Sequence, residues 1–248
     1  MSFRFKQFFV NDDRCAMKVG TDGVLLGAYA PLPDWSSHVL DIGTGCGLVA
    51  LMMAQKYPNA QIDAIDIDEA AAEQAQENFQ ASPWSDRLHA YASRLQDWQP
   101  NEKYDVIVSN PPYFQNSLKN PDKARQTARH TDTLSFDDLI IHCTRLLKED
   151  GVLAIILPAE AGRDMRNIVD KHALPAKFST SGGRALCHTC SVFVRSKEDK
   201  PNKRVIMFFD MTDGHSIPQW VYNDLLVLED ENGGRSAAYK ELTKDFYL

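Results

Sequence analysis

The sequence predicts an α/β fold on a mostly parallel sheet, and three observations carry that prediction. Short apolar runs alternate with helical patterns from about residue 38 to 172. A glycine-rich turn, Asp41-Ile42-Gly43-Thr44-Gly45-Cys46-Gly47, joins the first run to the first helix. Two strongly β-prone runs, 189–195 and 204–210, come later and are close enough to pair as a hairpin at the sheet edge. Strands separated by helices imply parallel βαβ units and a doubly wound sheet.

Each element has its own signal. Residues 38–42 form a short apolar strand, and 48–57 a helix with apolar residues on most faces. A strand at 61–66 precedes an alanine- and glutamine-rich helix at 69–81, and strands follow at 88–92 and 104–109. Residues 135–147 read as a helix, with Ser135 as N-cap and Asp138 three residues on. The apolar run 151–157 is a strand and 161–171 another helix. After the hairpin, whose connection is charged, 221–229 offers one further strand, 230–234 a turn and 237–244 a short helix. Residues 114–134 are polar and patternless, and a loop that long inside a compact domain is usually functional.

Bulk properties narrow the class. The 248 residues suit one domain spanning 1–248: a cap over the site at 1–37, a βαβ core at 38–172, and sheet-edge and substrate-side elements at 173–248. An apolar fraction of 44% and a charged fraction of 25% are ordinary for a soluble globular chain. No run approaches the roughly 18 apolar residues that a membrane span needs. The N-terminus alternates aromatic with polar residues and lacks a signal-peptide core, so a cytoplasmic chain is expected. The five cysteines are scattered and do not suggest a disulfide framework, and Cys46 reads as a small buried side chain. Cys187-His188-Thr189-Cys190 offers two zinc ligands where a structural site wants four, so no metal is expected. A monomer is expected.

The formal net charge of −7 argues against indiscriminate nucleic-acid binding, but the charge is uneven. Residues 59–105 hold ten acids and three bases, whereas 163–204 hold ten bases, among them Arg195, Lys197, Lys203 and Arg204, and four acids. The patternless loop adds Lys119, Lys123, Arg125 and Arg129. A polyanion could dock on one face. On charge alone, solvated surface residues explain these runs equally well.

Two motifs carry chemistry. In the glycine turn, Gly43, Gly45 and Gly47 permit positive φ and close approach of a ligand to the backbone, and the helix that follows favours polar ligand groups at its start. The spacing G-x-G-x-G differs from the dinucleotide pattern G-x-G-x-x-G. Asp66, at the end of the next strand, can grip a ribose diol; alone it would read as a turn-starting acid. Asn110-Pro111-Pro112-Tyr113 ends an apolar strand whose carboxyl end shares the ligand-binding edge of the sheet with Ile42, Asp66 and Ala92. Two prolines remove two N–H donors and fix φ, leaving carbonyls to point into the cleft. The Asn110 side-chain oxygen and the Pro111 carbonyl can both accept from one amino group. That pulls its nitrogen toward sp³ and frees the lone pair for attack. Tyr113, with Phe114, offers a flat face for a substrate ring.

On these motifs the chain resembles the S-adenosylmethionine-dependent amino methyltransferases. That resemblance implies a Rossmann-like class I fold with a seven-stranded, mostly parallel sheet and an antiparallel edge strand. It also implies that Gly43, Gly45 and Gly47 cradle the methionine and ribose of the cofactor, that Asp41 sits beneath them, and that Ala92 and Ser93 touch its adenine. Three further pieces make the chain similar to the valine-tRNA adenine methyltransferases, which act beside the anticodon. They are Phe8-Phe9 with the stretch from Met17 to Val24, the loop from Arg125 to His130, and the ending from Tyr239 to Leu248. In that family Lys18, Thr21 and Asp22 would lie over the methionine end of the cofactor; a helix cap at Thr21-Asp22 is the alternative.

The clamp does not identify its amine, since adenine, guanine N2 in rRNA and a protein glutamine amide all suit it. Glutamine methyltransferases of release factors carry a sizeable domain ahead of the glycine turn, and here about 38 residues precede it. Basic residues favour a polyanion, and the base must be unpaired to reach the clamp, so tRNA is the expected partner. Arg125, Arg129, Arg195, Lys197 and Lys203 are the candidate RNA contacts, and His130 a further one. A non-catalytic cofactor- and RNA-binding protein is the reading from another class; the intact clamp speaks against it.

Overall fold

The structure is a computed structural model that describes residues 2–31, 37–111, 134–177, 183–213 and 221–247. Among the described residues, eight strands form the main sheet: β3 (His38–Ile42), β4 (Gln61–Asp66), β5 (Leu88–Ala92), β6 (Tyr104–Ser109), β7 (Leu147–Pro158), β8 (Ala185–Arg195), β9 (Arg204–Thr212) and β10 (Tyr222–Val227). Their order is β10-β8-β9-β7-β6-β3-β4-β5. β9 runs antiparallel to both β7 and β8, and the other pairings are parallel. The mostly parallel sheet with an antiparallel strand toward one side is as expected. The eighth strand comes from β10, which pairs beside β8.

Side chains alternate across the sheet with the two-residue strand period. Ala154 and Ile156 of β7 enter one apolar cluster, while Leu153, Ile155 and Leu157 enter the other. α2 (Leu48–Lys56) and α3 (Glu69–Gln80) cover the first face. α4 (Phe136–Leu146) and α5 (Gly162–Lys177) cover the second. The caps follow the sequence signals: Ser135 accepts from the Asp138 N–H at 3.0 Å, and Asp68 from the Ala70 N–H at 3.0 Å.

The N-terminal region holds a hairpin, β1 (Ser2–Arg4) with β2 (Phe9–Asn11), and a helix, α1 (Thr21–Tyr29). The hairpin was not expected, and a helix starting at Thr21-Asp22 stood only as the alternative reading. Two interior glycines lower the helix propensity of α1, and its run of Val24, Leu25 and Leu26 has no helical period. Tertiary packing explains it. A Cβ on Gly27 would meet Met52 Cβ at 2.9 Å, so the glycine lets α1 lie directly on α2. Lys56 reaches from α2 to donate to the carbonyls of Ala28 (2.8 Å) and Ala30 (2.9 Å), and burial drops its pKa to about 8. Phe5 stacks on Phe8 and on Tyr247 at centroid distances of 4.6 and 5.8 Å, joining the hairpin to α6 (Ala237–Thr243) and the residues after it.

Candidate active site

Strand register builds the site. Ile42 of β3 stands opposite Ile65 of β4 on one side and Ser109 of β6 on the other, and Asp66 stands opposite Ala92. Gly43, Asp66, Ala92 and Asn110 therefore fall in one row at the carboxyl ends of four parallel strands. The chain passes from β3 outward to β4 and β5 and returns to β6 on the other side of β3, and ligands of open α/β sheets bind at such a switch point. The Ser109 hydroxyl, fully buried, donates to the Ile42 carbonyl at 2.9 Å and ties the two strand ends together.

The three glycines of the turn all have positive φ, at 70°, 56° and 82°, but they do different things. A Cβ on Gly43 would meet nothing within 4 Å, so this backbone faces open space. The Gly45 N–H donates to Asp66 Oδ2 at 2.8 Å. A Cβ on Gly47 would come within 2.5 Å of the Phe79 ring, so its bareness lets α3 pack against the turn. Asp41, 1% exposed, accepts from the Thr44 hydroxyl at 2.7 Å. Burial pushes its pKa up to about 7 despite that bond, and the Asp66 charge adds to the shift. Burial likewise raises Asp66, against N–H bonds from Asp68 and Gly45. Asp41 and Asp66 each line one of the hollows at this edge, where a ligand that brings hydroxyl donors or positive charge would meet them.

Two hollows open from this row. The first, about 270 Å³, is walled by Gly43, Gly45, Asp66, Ser93, Arg94, Leu95, Asn110 and Pro111. The second, about 430 Å³, is walled by Lys18, Thr21, Asp22, Asp41, Gly43, Thr44 and Asn110 and reaches Arg195, Lys203 and Arg204. Met17, Gly43, Gly45 and Asn110 belong to both. The Asn110 amide nitrogen donates toward Met17 Sδ at 3.1 Å, which turns it to the N-terminal segment.

That segment is held by α3. The buried Asn78 amide donates to the carbonyls of Asn11 and Cys46, both at 2.8 Å, and accepts from the Asn11 N–H at 3.0 Å. Gln74 accepts from the Arg14 N–H at 2.8 Å and donates to Asp13 Oδ1 at 3.1 Å. One helix thereby fastens residues 11–14 to the glycine turn. Lys18 donates to the Asp12 carbonyl and, at 3.3 Å, to that of Asp13. These amides were missed in the sequence; the signal was two polar residues, four apart, on the otherwise apolar face of a helix.

The other expected residues are placed as follows. Gly47 lines neither hollow and serves packing. Ala92 borders a separate shallow hollow with Glu69 and Glu73, while Ser93 lines the first hollow. The cap of α1 is Gly20, with no side-chain cap bond, so Thr21 does not cap the helix. Asp22 instead accepts from Arg204 Nε at 2.7 Å, joining α1 to β9. Lys197 lies off the hollows, 3.9 Å from Glu229. Arg195 donates from Nε to Asn202 Oδ1 at 2.7 Å and lines the second hollow. Pro112, Tyr113, Arg125, Arg129 and His130 lie outside the described residues. Among the described residues no group of three or more His, Cys, Asp or Glu could hold a metal ion, and no helix is long and apolar enough to cross a membrane.

Comparison with known proteins decides the family. Residues 23–177 match the methyltransferase small domain. Over 248 residues the chain is 42% identical to a tRNA1(Val) (adenine(37)-N6)-methyltransferase of Edwardsiella ictaluri, covering 99% of this chain and 93% of that protein. It is 44% identical over 246 residues to the protein of the same name from Phocaeicola vulgatus, covering 99% and 97%. The chain belongs to this methyltransferase family. The fold agrees: a predicted O-methyltransferase from Agrobacterium tumefaciens superposes with a TM-score of 0.68 at 14% identity, covering 91% of this chain and 96% of the other. The family's cofactor is S-adenosylmethionine.

Proposed function

We propose that the chain transfers the methyl group of S-adenosylmethionine to N6 of an adenosine in tRNA, the one 3′ of the anticodon in valine tRNA. The observation that carries this is the position of Asn110 and Pro111 in the wall of the Asp66 hollow, with Asn110 common to the second hollow as well. An amine held there has a nucleoside-sized recess on one side and a basic mouth on the other. The relatives, which carry that activity in their names, support the substrate.

In this reading Asp66 accepts from the ribose hydroxyls and Ser93 touches the adenine. Gly43 and Gly45 give the backbone against which the ligand lies, with Gly47 shaping the turn from behind. Lys18, Thr21 and Asp22 lie over the methionine end, and Asp41 beneath. When bound, the cofactor supplies an electrophilic methyl group on a sulfonium. Asp41, buried, and Asp66, half-buried, suit its positive charge. With the Asn110 nitrogen turned to Met17, the Asn110 oxygen and the Pro111 carbonyl accept the two hydrogens of the target amine. The amine loses a proton to solvent after transfer, so no side-chain base is needed. Tyr113 stacks on the base, Pro112 keeps the turn free of competing donors, and Arg195, Lys203, Arg125 and Arg129 meet the RNA. The enzyme acts as a monomer in the cytoplasm, with residues 1–37 of a single domain as the cap over its site.

Incubation with tRNA and methyl-labelled cofactor, followed by mass spectrometry of the nucleosides, tests the reading. Labelled N6-methyladenosine is expected. Labelled methylguanosine, or label in a protein and none in RNA, contradicts it.

A further inference from the structure

We propose that an open hollow between the N-terminal hairpin and α6 is a second docking site for the RNA backbone, taking phosphates that flank the target nucleotide; this rests on the tRNA reading above. The hollow measures about 830 Å³, and five cations line it: Arg4, Lys6, Arg235, Lys240 and Lys244. No aspartate or glutamate is part of the lining, in a chain whose net charge is −7. Such a concentration of one sign focuses potential on a polyanion.

Three features favour RNA over an acidic peptide. The cations are interleaved with the rings of Phe3, Tyr239 and Tyr247, which offer faces to unpaired bases. The Arg235 guanidinium lies 4.7 Å from the Tyr239 ring centroid and that of Arg4 5.3 Å from that of Phe9, and a guanidinium so placed can still meet a phosphate through its N–H groups. Finally, the hollow joins the reaction site: Gly20 and Thr21 line both it and the second hollow beside Asn110. A strand whose base enters at Asn110 crosses that shared wall, and its neighbouring phosphates fall among these cations. Not all five are equally available. Lys244 is 2.5 Å from Glu241, and Lys6 donates to the Lys244 carbonyl at 2.5 Å. The exposed Arg235 and Lys240 therefore carry most of the expected effect.

The test uses the full chain with Arg235→Gln and Lys240→Gln together, and a second variant with both changed to Glu. Binding of a valine tRNA transcript is followed by anisotropy across a salt series, with cofactor affinity and melting temperature measured alongside. The Gln pair should weaken tRNA binding about tenfold near 0.1 M salt and flatten the log–log salt slope by about 1.4, since each lost contact to single-stranded backbone removes about 0.7. The Glu pair should weaken it further. KM for tRNA should rise while kcat at saturating tRNA and cofactor affinity stay within about twofold. An unchanged slope and affinity in both variants overturns the proposal, as does a loss that comes only with weaker cofactor binding or a lower melting temperature. Preferential binding of a polyglutamate peptide here, with tRNA affinity unaltered, overturns it too. Methylation by the unaltered protein is scored separately: a chain that binds tRNA through this hollow and methylates no adenine refutes the functional reading alone.

Discussion

The two hollows share Gly43 and Asn110 yet are built by different means. The Asp66 hollow is made largely by the ends of four adjacent parallel strands, so register alone brings its residues together. The second hollow is assembled from segments far apart in the chain: Lys18 to Asp22, the ends of β8 and β9, and Leu228. Long-range pairs such as Asp22 with Arg204 hold it. A local sequence pattern can therefore announce the first hollow and only hint at the second. Damage to the first should strike the nucleoside end of the cofactor or folding, and damage to the second the methionine end of the cofactor and the handling of substrate.

The sharpest contrast lies within the glycine turn. Gly47→Ala places a side chain in left-handed backbone, at roughly 1–2 kcal/mol, and drives it into the Phe79 ring, at roughly 1–3 kcal/mol more. A large drop in unfolding midpoint is expected. Gly43→Ala carries the same left-handed strain but meets no atom, so it should lose less stability while cofactor affinity falls steeply; equal destabilisation of the two variants would erase the distinction. Asp66→Ala removes charge-assisted hydrogen bonds of roughly 2–3 kcal/mol and should weaken cofactor binding about 30- to 150-fold by calorimetry, an outcome that unaltered affinity refutes. Asn78→Ala leaves the Asn11 and Cys46 carbonyls and the Asn11 N–H without this partner, at roughly 1–3 kcal/mol. Hydrogen exchange of residues 11–14 should speed up in this variant, and unchanged protection would show the tether to be idle.

A further contrast is in pH dependence. Asp41 has a folded pKa near 7 against an ordinary 3.8, so the folded state holds its proton more tightly than the unfolded state. Stability from this group is present below about pH 4 and is lost as pH rises to about 7. Asp41→Asn should flatten the melting temperature against pH across that window, and a parallel curve would contradict the assignment.

Much of the parallel core was legible in the sequence because its signals are local. The glycine turn, the strand ends and the Ser135 cap lie close to where they were expected. α1 stood only as an alternative because its apolar residues form a block and its glycines serve close packing on α2, Gly27 against Met52 and Gly23 against Leu48, a reason visible only in three dimensions. Asn78 and Gln74 escaped because their partners lie about 60 residues or more away in the N-terminal segment. At the end of β5 the sequence pointed to Ala92 and Ser93 together; Ser93 lines the Asp66 hollow and Ala92 borders a neighbouring one beside α3, a division that strand-end position alone does not show. The Arg204–Asp22 pair shows the same limit, since a basic run in sequence gives no hint of which member is already engaged.

The most direct test is a pair of measurements on Asn110→Ala. Calorimetry should give a cofactor affinity within about threefold of the parent chain, while methyl transfer to valine tRNA falls by roughly 10²–10³, the scale of losing one hydrogen-bonding group aimed at the reacting centre. Transfer at near-parental rates by this variant, or loss of cofactor binding in step with activity, would contradict a clamp at the meeting point of the two hollows.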